Sequence, residues 1–352
     1  MNLQSAHPAK RMFRVVQWAT GNIGLRSLRA VIEHPRMELV GLRVYSADKA
    51  GRDAGELVGL PPVGVAATND IEKIIALKPD CVLYMPQSTD FDEVCQILAS
   101  GANIVSTRGE FHNPKLLDPA VRARVEEACR RGGSSLHSTG SSPGFITEAM
   151  PLVLTSISRR LDCLTIDEFA DVSSRDSPDM LFRVMGFGVA PTAFDERRLD
   201  HVRDNFEQSL HLVADSLGLP LDSVETMGEL ATARTTTRIA AGVVEAGTVA
   251  ATRMTVLGMR GGRALLRFRA NWFVTADIDQ PWSLRETGWR VLVEGDTPMD
   301  VSIGFPVRPE DYAAFTPGLT AHRPVNAIPY VCAAAPGIHT TVDLPQIIAA
   351  FA

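Results

Sequence analysis

The stretch Phe13-Arg14-Val15-Val16-Gln17-Trp18-Ala19-Thr20-Gly21-Asn22-Ile23-Gly24 places an apolar run directly before a turn holding two glycines. Phe13 to Trp18 reads as a buried strand. The spacing of Leu25, Leu28, Val31 and Ile32 predicts a helix from about Ile23 to Glu33. Strand, glycine turn and helix in that order form a dinucleotide-binding fingerprint, with Ala19 where its first glycine would stand. The reason is electrostatic. The first amides of a helix lack intrahelical partners and its N-terminal end is partly positive, so a diphosphate is held there. Gly21 would admit the phosphates to the backbone, and Gly24 would let helix and strand pack closely. Thr20, Gly21, Asn22, Ile23 and Gly24 are therefore the first cofactor candidates. A merely structural turn is the alternative.

An NAD site usually carries Asp or Glu about 20 residues past the glycines, where it accepts from the ribose hydroxyls. Here the segment reads Val44-Tyr45-Ser46, with Arg43, Lys49 and Arg52 close by and Asp48 as the acid. Cations without the expected acid favour a 2′-phosphate. NADP is thus expected slightly ahead of NAD, with Ser46 and Lys49 as contacts. Solvated loop cations are the competing reading.

Outward from this unit the pattern repeats. Strands at Glu38–Tyr45, Cys81–Met85, Asn103–Thr107 and Ser135–Ser138 alternate with helices at Ile71–Leu77, Phe91–Ser100 and Asp118–Arg131. That alternation predicts an α/β fold, a Rossmann-type doubly wound parallel sheet over residues 1–150. Ligands of such sheets sit beyond the carboxyl ends of the strands. Three loops there matter: Met85 to Ser88, Ser106 to His112, and Ser138 to Phe145. They offer Pro86, Gln87, Thr107, Arg108, Ser142 and Pro143 to a cofactor. Glu110, just past its strand, is the catalytic candidate: a carboxylate there could hold and deprotonate an ammonium, or stabilise a developing cation. A surface ion pair or a helix-start acid is its alternative. A free Glu titrates near about 4.3, and partial burial would raise that. His112 is a second candidate proton donor.

After Gly144 the pattern changes. A helix over Ile146–Ile157 is followed by a strand at Leu161–Ala170, a long helix at Ala193–Leu217, and strands at Thr235–Val244, Thr248–Leu257, Ala264–Val274 and Trp289–Val293. Gly261-Gly262 marks a tight hairpin. Residues 151–322 thus read as a second α+β domain with a mixed or antiparallel sheet, serving substrate binding and dimerisation. Residues 323–352 read as a tail returning to the first domain, where Asn326 would touch the cofactor or simply occupy a turn. Met180, Phe182 and Trp272 are substrate-pocket candidates alongside Met185 and Phe273, with ordinary core packing as the alternative. Asp171 and Arg175 either line the cleft or pair with each other.

Composition excludes several classes. A net charge of −6 over 352 residues gives no nucleic-acid footprint. No apolar run reaches the roughly 18 residues of a membrane span. Met1 to Arg11 is polar and reads as a short tail rather than a signal peptide. The five cysteines are isolated and none has metal-ligand spacing, so no metal and a reducing cytoplasm are expected.

Gln17 to Gly24, Ser142-Pro143-Gly144-Phe145 and Val325-Asn326-Ala327-Ile328-Pro329 together resemble 2,4-diaminopentanoate dehydrogenase and the related native amine dehydrogenases, a group similar in fold to dihydrodipicolinate reductase. The likeness covers most of the chain. It implies NAD(P)-dependent reductive amination of a ketone or aldehyde with ammonia, and the reverse oxidative deamination. It also implies a homodimer and, at Glu110, the glutamate that handles ammonia. Ser142 departs from the Asn of the diamino-acid enzymes, which bears on the amino-acid end of the substrate. The reductase's paired-His, Lys-containing motif has no counterpart in Glu168 to Ser174. Two rivals stand beside this reading. One is an alcohol or semialdehyde dehydrogenase on the same scaffold. It would want a lysine or a cysteine in the three loops, which hold neither. The other is a non-catalytic NADP sensor.

Overall fold

The computed structural model describes residues 11–192, 194 and 196–351, apart from the side chain of His201. The polar start before Arg11, and Ala193 as the first residue of the long helix, lie outside the described residues. The elements run β1 (Phe13–Trp18), α1 (Asn22–Ile32), β2 (Met37–Arg43), α2 (Ala54–Leu57), β3 (Ala67–Thr68), α3 (Ile71–Ala76), β4 (Cys81–Tyr84), α4 (Phe91–Ala99), β5 (Asn103–Ser106), α5 (Pro119–Gly132) and β6 (Ser135–Ser138). Then come α6 (Met150–Thr155), β7 (Leu161–Asp171), α7 (Glu196–Ser216), β8 (Ser223–Thr232), β9 (Thr237–Ile239), β10 (Gly242–Val244), β11 (Val249–Arg260), β12 (Arg263–Phe273), β13 (Gly288–Gly295), β14 (Met299–Gly304), α8 (Tyr312–Val331) and β15 (Gly337–His339). The chain divides into two compact units, Met1–Phe145 with Thr316–Ala352, and Ile146–Phe315.

The first unit is built on a seven-stranded sheet in the order β15-β6-β5-β4-β1-β2-β3. Every pair in it is parallel. Its central strands are apolar on both faces because both are covered. Val16, Trp18, Val82 and Tyr84 pack towards Ile97, Leu98, Phe111 and Val125 on one side. Phe13, Val15, Leu83 and Val105 pack towards Val325, Ile328 and Val331 of α8 on the other. Three short elements escape the sequence reading: α2, β3 and the edge strand β15. Each is too short to show a period. The start of the tail is helical. α8 runs through Pro317, Pro324 and Pro329, and Asn326 lies on that helix.

The second unit holds a six-stranded mixed sheet in the order β14-β13-β7-β12-β11-β8. β7 and β12 are parallel and the other pairs antiparallel. α7 lies on β8, β11 and β12. There the Phe206 ring stacks on Phe268 with centroids 3.7 Å apart. The Gly261-Gly262 hairpin forms as expected, both residues having positive φ. Two strands were missed and one was misread. β8 is half-exposed or exposed except at buried Ala231, and β14 alternates between half-exposed and exposed positions, so neither presents a clean apolar face. The expected strand Thr235–Val244 is instead a small hairpin, β9 with β10.

Candidate functional site

The sheet order reverses at β1, whose neighbours are β4 and β2, so the chain leaves this point in opposite directions. The turn after β1 is held from both sides. Ala19 N donates to the Arg43 carbonyl (2.9 Å), and Met85 N donates to the Trp18 carbonyl (3.1 Å). Buried Gln17, unremarked as a site residue in the sequence, organises the turn from below. Its Nε2 donates to the carbonyls of Trp18 (3.2 Å) and Ala19 (3.0 Å), and its Oε1 accepts from Ser27 of α1 (2.7 Å). Ala19 has φ +74°, the left-handed geometry a first glycine would supply freely. A Cβ on Gly24 would overlap the Ala19 carbonyl oxygen, which is why this position must be bare.

Asp53, Asp70, Asp90 and Asp118 cap the starts of α2, α3, α4 and α5 with their carboxylates. α1 alone of these five begins at a glycine, Gly21, with no side-chain cap and no acid in its first turn. A Cβ on Gly21 would meet nothing within 4 Å, and Gly21 and Asn22 are exposed. Ile23 is half-buried against the second core. These are the features an anion requires: free amides, a positive helix end and open space.

At the ribose position the cations separate. Arg43 is 9% exposed, its guanidinium lying over the rings of Trp18 (5.4 Å) and Tyr45 (4.8 Å) and 3.7 Å from Glu93. It is a structural cation. Lys49 reaches the glycine turn instead, donating to the carbonyl (3.3 Å) and Oγ1 (3.2 Å) of buried Thr20. Ser46 is exposed and its hydroxyl donates to Asp48.

At the ends of β4, β5 and β6, serine hydroxyls stitch the loops together. Ser106 Oγ donates to the Tyr84 carbonyl (2.7 Å) and accepts from Arg108 N (3.1 Å), while Ser138 Oγ donates to the Arg108 carbonyl (2.7 Å). This fixes the run from Thr107 to Glu110. Glu110 Oε1 accepts from Arg108 Nη2 (2.8 Å) and Thr89 Oγ1 (3.2 Å). Its Oε2 is buried with no hydrogen-bond partner among the described residues. Burial pushes the Glu110 carboxyl up, but the hydrogen bond and charge of Arg108, with Thr89, outweigh it and hold the group below the ordinary carboxylate value. The expected upward shift is therefore corrected: Glu110 is a carboxylate at neutral pH. Thr89 is the partner that sequence spacing did not reveal. Pro86 is buried and Gln87 exposed beside it, the latter's carbonyl accepting from Arg108. His112 is 2% exposed.

In the third loop Ser142-Pro143 is a cis peptide, and Ser142 Oγ is buried without a partner among the described residues. Gly144 has φ +119°, and a Cβ there would come within 2.7 Å of Thr139 Oγ1, so only glycine fits. Thr320 and Arg323 of α8 anchor this loop through Ser141 (2.7 Å) and Thr139 (2.9 Å). Asn326 sits half-buried one turn further along. In the second unit, Phe182 and Trp272 pack against one apolar cluster, whereas Met180 is 44% exposed and outside it. Asp171 accepts from its own neighbour Ser173 N (2.9 Å), and burial lowers the Arg175 pKa. No ion pair joins the two.

Residues 145–352 match the 2,4-diaminopentanoate dehydrogenase C-terminal domain. The whole chain is similar to an amine dehydrogenase from Streptomyces virginiae, 29% identical over 348 residues that cover 95% of this chain and 96% of that one. It is also 23% identical to 2,4-diaminopentanoate dehydrogenase from Acetoanaerobium sticklandii over 267 residues, 72% of this chain and 70% of that one. The fold matches that of the amine dehydrogenase from Mycobacterium smegmatis with a TM-score of 0.71 at 20% identity, covering 96% of this chain and 97% of that one. The matched domain spans more than half of the sequence, and the chain accordingly belongs to the 2,4-diaminopentanoate dehydrogenase family of oxidoreductases.

Proposed function

We propose that this protein is an NAD(P)-dependent amine dehydrogenase, aminating a ketone or aldehyde with ammonia and deaminating the amine in reverse. The observation that carries the reading is the unpartnered, buried Oε2 of Glu110 beside a fully engaged Oε1. Leaving a buried acceptor unsatisfied costs about 1–3 kcal/mol or more when it is charged. The donors that would satisfy it best are cationic N–H groups, an ammonium or an iminium. The similarity to the Streptomyces virginiae and Acetoanaerobium sticklandii enzymes supports the same chemistry.

The uncapped start of α1 and the open face of Gly21 fit a dinucleotide diphosphate, held by the turn from Thr20 to Gly24. Lys49, standing beside Thr20 of that turn, would offer its charge to a 2′-phosphate, which favours NADP over NAD. The bound nicotinamide supplies or takes up the hydride. The protein's own part is electrostatic. Glu110, already ionised, favours a cationic iminium over the neutral ketone, so its binding energy appears on the reaction path rather than in the ground state. Pro86, Thr107, Ser142, Pro143 and Asn326 would complete the cofactor pocket, and within the second unit the apolar cluster holding Phe182 and Trp272 would serve the substrate. We further read a cytoplasmic homodimer through the sheet face opposite α7. Bidentate pairs such as Asp167–Arg269 and Arg290–Asp300 give that face both signs of charge.

The test is cofactor oxidation measured over a panel of small ketones and aldehydes with and without ammonia. Turnover that needs both carbonyl and ammonia is expected. Turnover without ammonia would point to an alcohol dehydrogenase, and tight NADPH binding with no turnover to a sensor.

A further inference from the structure

Arg108 has every guanidinium nitrogen committed within its own corner of the fold. Nε donates to Thr89 Oγ1 (3.1 Å), Nη1 to the Gln87 carbonyl (2.7 Å) and Nη2 to Glu110 Oε1 (2.8 Å). Thr89 in turn donates to the same Oε1 (3.2 Å), closing a triangle between the segment that precedes α4 and the segment that follows β5. The side chains of Arg108 and Glu110 are 28% and 33% exposed, so solvent screens the pair only in part. Three of the five guanidinium N–H groups are thus spent inside the protein, which ties Arg108 to this corner.

We infer that Arg108 is a positioning residue: it fixes the plane of the Glu110 carboxylate so that one oxygen is engaged by the protein and the other is offered to a cationic amine nitrogen. Two donors converge on Oε1 and none on Oε2 among the described residues. That asymmetry is what the planar fork of arginine can impose and a point charge cannot. The charged group acting on the carboxylate from its own loop is Arg108. From the segment before α4 comes the neutral hydroxyl of Thr89, while the neighbouring Asp90 turns away to cap α4 with its carboxylate on Asp92 N (2.8 Å) and Glu93 N (3.2 Å). His112 is buried two residues on. Arg108 is thus the group that sets both the orientation and the ionisation of Glu110.

The kinetic arm of the test rests on the amine dehydrogenase reading, and the spectroscopic arm does not. Protein labelled with carboxyl-13C glutamate is titrated by NMR, with the Glu110 signal assigned by its loss in Glu110→Gln. In Arg108→Gln the Glu110 midpoint should rise by about one pH unit or more, the usual effect of removing an adjacent opposite charge. Arg108→Lys should restore much of that midpoint. In steady-state assays kcat/KM for ammonia should fall in both variants, with the lysine variant recovering the pH profile but not the full kcat. The dissociation constant for NADPH should stay within about twofold. Thermal unfolding of each variant checks the fold, and Arg108→Lys carries the test if Arg108→Gln is unfolded. An unmoved Glu110 titration in Arg108→Gln would overturn the inference, as would a tenfold loss of NADPH affinity with Glu110 unchanged. A shifted titration in a protein that aminates nothing would leave the positioning role standing and remove the proposed reaction.

Discussion

The turn after β1 and the corner around Glu110 would serve the proposed reaction by different means. The turn would bind through its backbone. Its requirements are conformational, and nine consecutive residues from Gln17 to Leu25 nearly suffice to state them. The corner works through side chains drawn from two segments, Gln87 to Thr89 and Arg108 to Glu110, that meet only because β4 and β5 lie side by side. The lesson is that a backbone site is written locally, whereas a side-chain site is written in the strand order.

The strongest break in this comparison is Glu110→Gln, which keeps the shape and removes the charge. It should lower kcat about 10²- to 10³-fold, as loss of one transition-state electrostatic contact does, and leave NADPH affinity intact by calorimetry. Equal loss of both would place Glu110 in the cofactor site. Gly24→Ala attacks the other region. Its Cβ would collide with the Ala19 carbonyl, so stability should drop by roughly 1–3 kcal/mol in denaturant melts, with NADPH affinity falling too. Lys49→Ala tests whether the turn reads the ribose end. NADPH affinity should weaken about tenfold, near 1.4 kcal/mol, with NADH changed little. Ala19→Gly should relieve a left-handed alanine worth about 1–2 kcal/mol of strain, offset by roughly 0.4–1 kcal/mol of unfolded-chain entropy, for a net gain of about 0–1.6 kcal/mol.

The smallest effect concerns pH. Because the folded Glu110 carboxyl lies below its ordinary value, its pairing contributes stability above the unfolded pKa and loses it as pH falls through the folded one. The melting-temperature gap between wild type and Glu110→Gln should therefore close on acidification. It should be modest throughout, since the pair is partly exposed. A gap that widened instead would mean that burial, and not Arg108, governs the group.

Much of this was legible in one dimension. The β1–α1 fingerprint, the alternation to β6, the Gly261-Gly262 hairpin and the place of Glu110 three positions past its strand all come from local pattern. The failures share a cause. β8 and β14 have no solvent-free face, so their alternation is faint. α8 carries three prolines that argue against a helix, yet its apolar side packs on β1 and β4 and tertiary burial overrides the local preference. Arg43 looked like a phosphate ligand until the rings of Trp18 and Tyr45 closed over it.

The chain's own order of residues determined that a helix would start bare at Gly21, because glycine and the lack of a nearby acid are properties of the residues themselves. It also determined that an acid would stand just beyond the carboxyl end of β5. Only the tertiary structure decided that this acid is ionised, which of its oxygens is open and which cation orients it. Those outcomes depend on distances of about three ångströms, between Arg108 and Glu110 and from both to Thr89 some twenty positions away, and burial and Coulomb attraction act through space rather than along the chain.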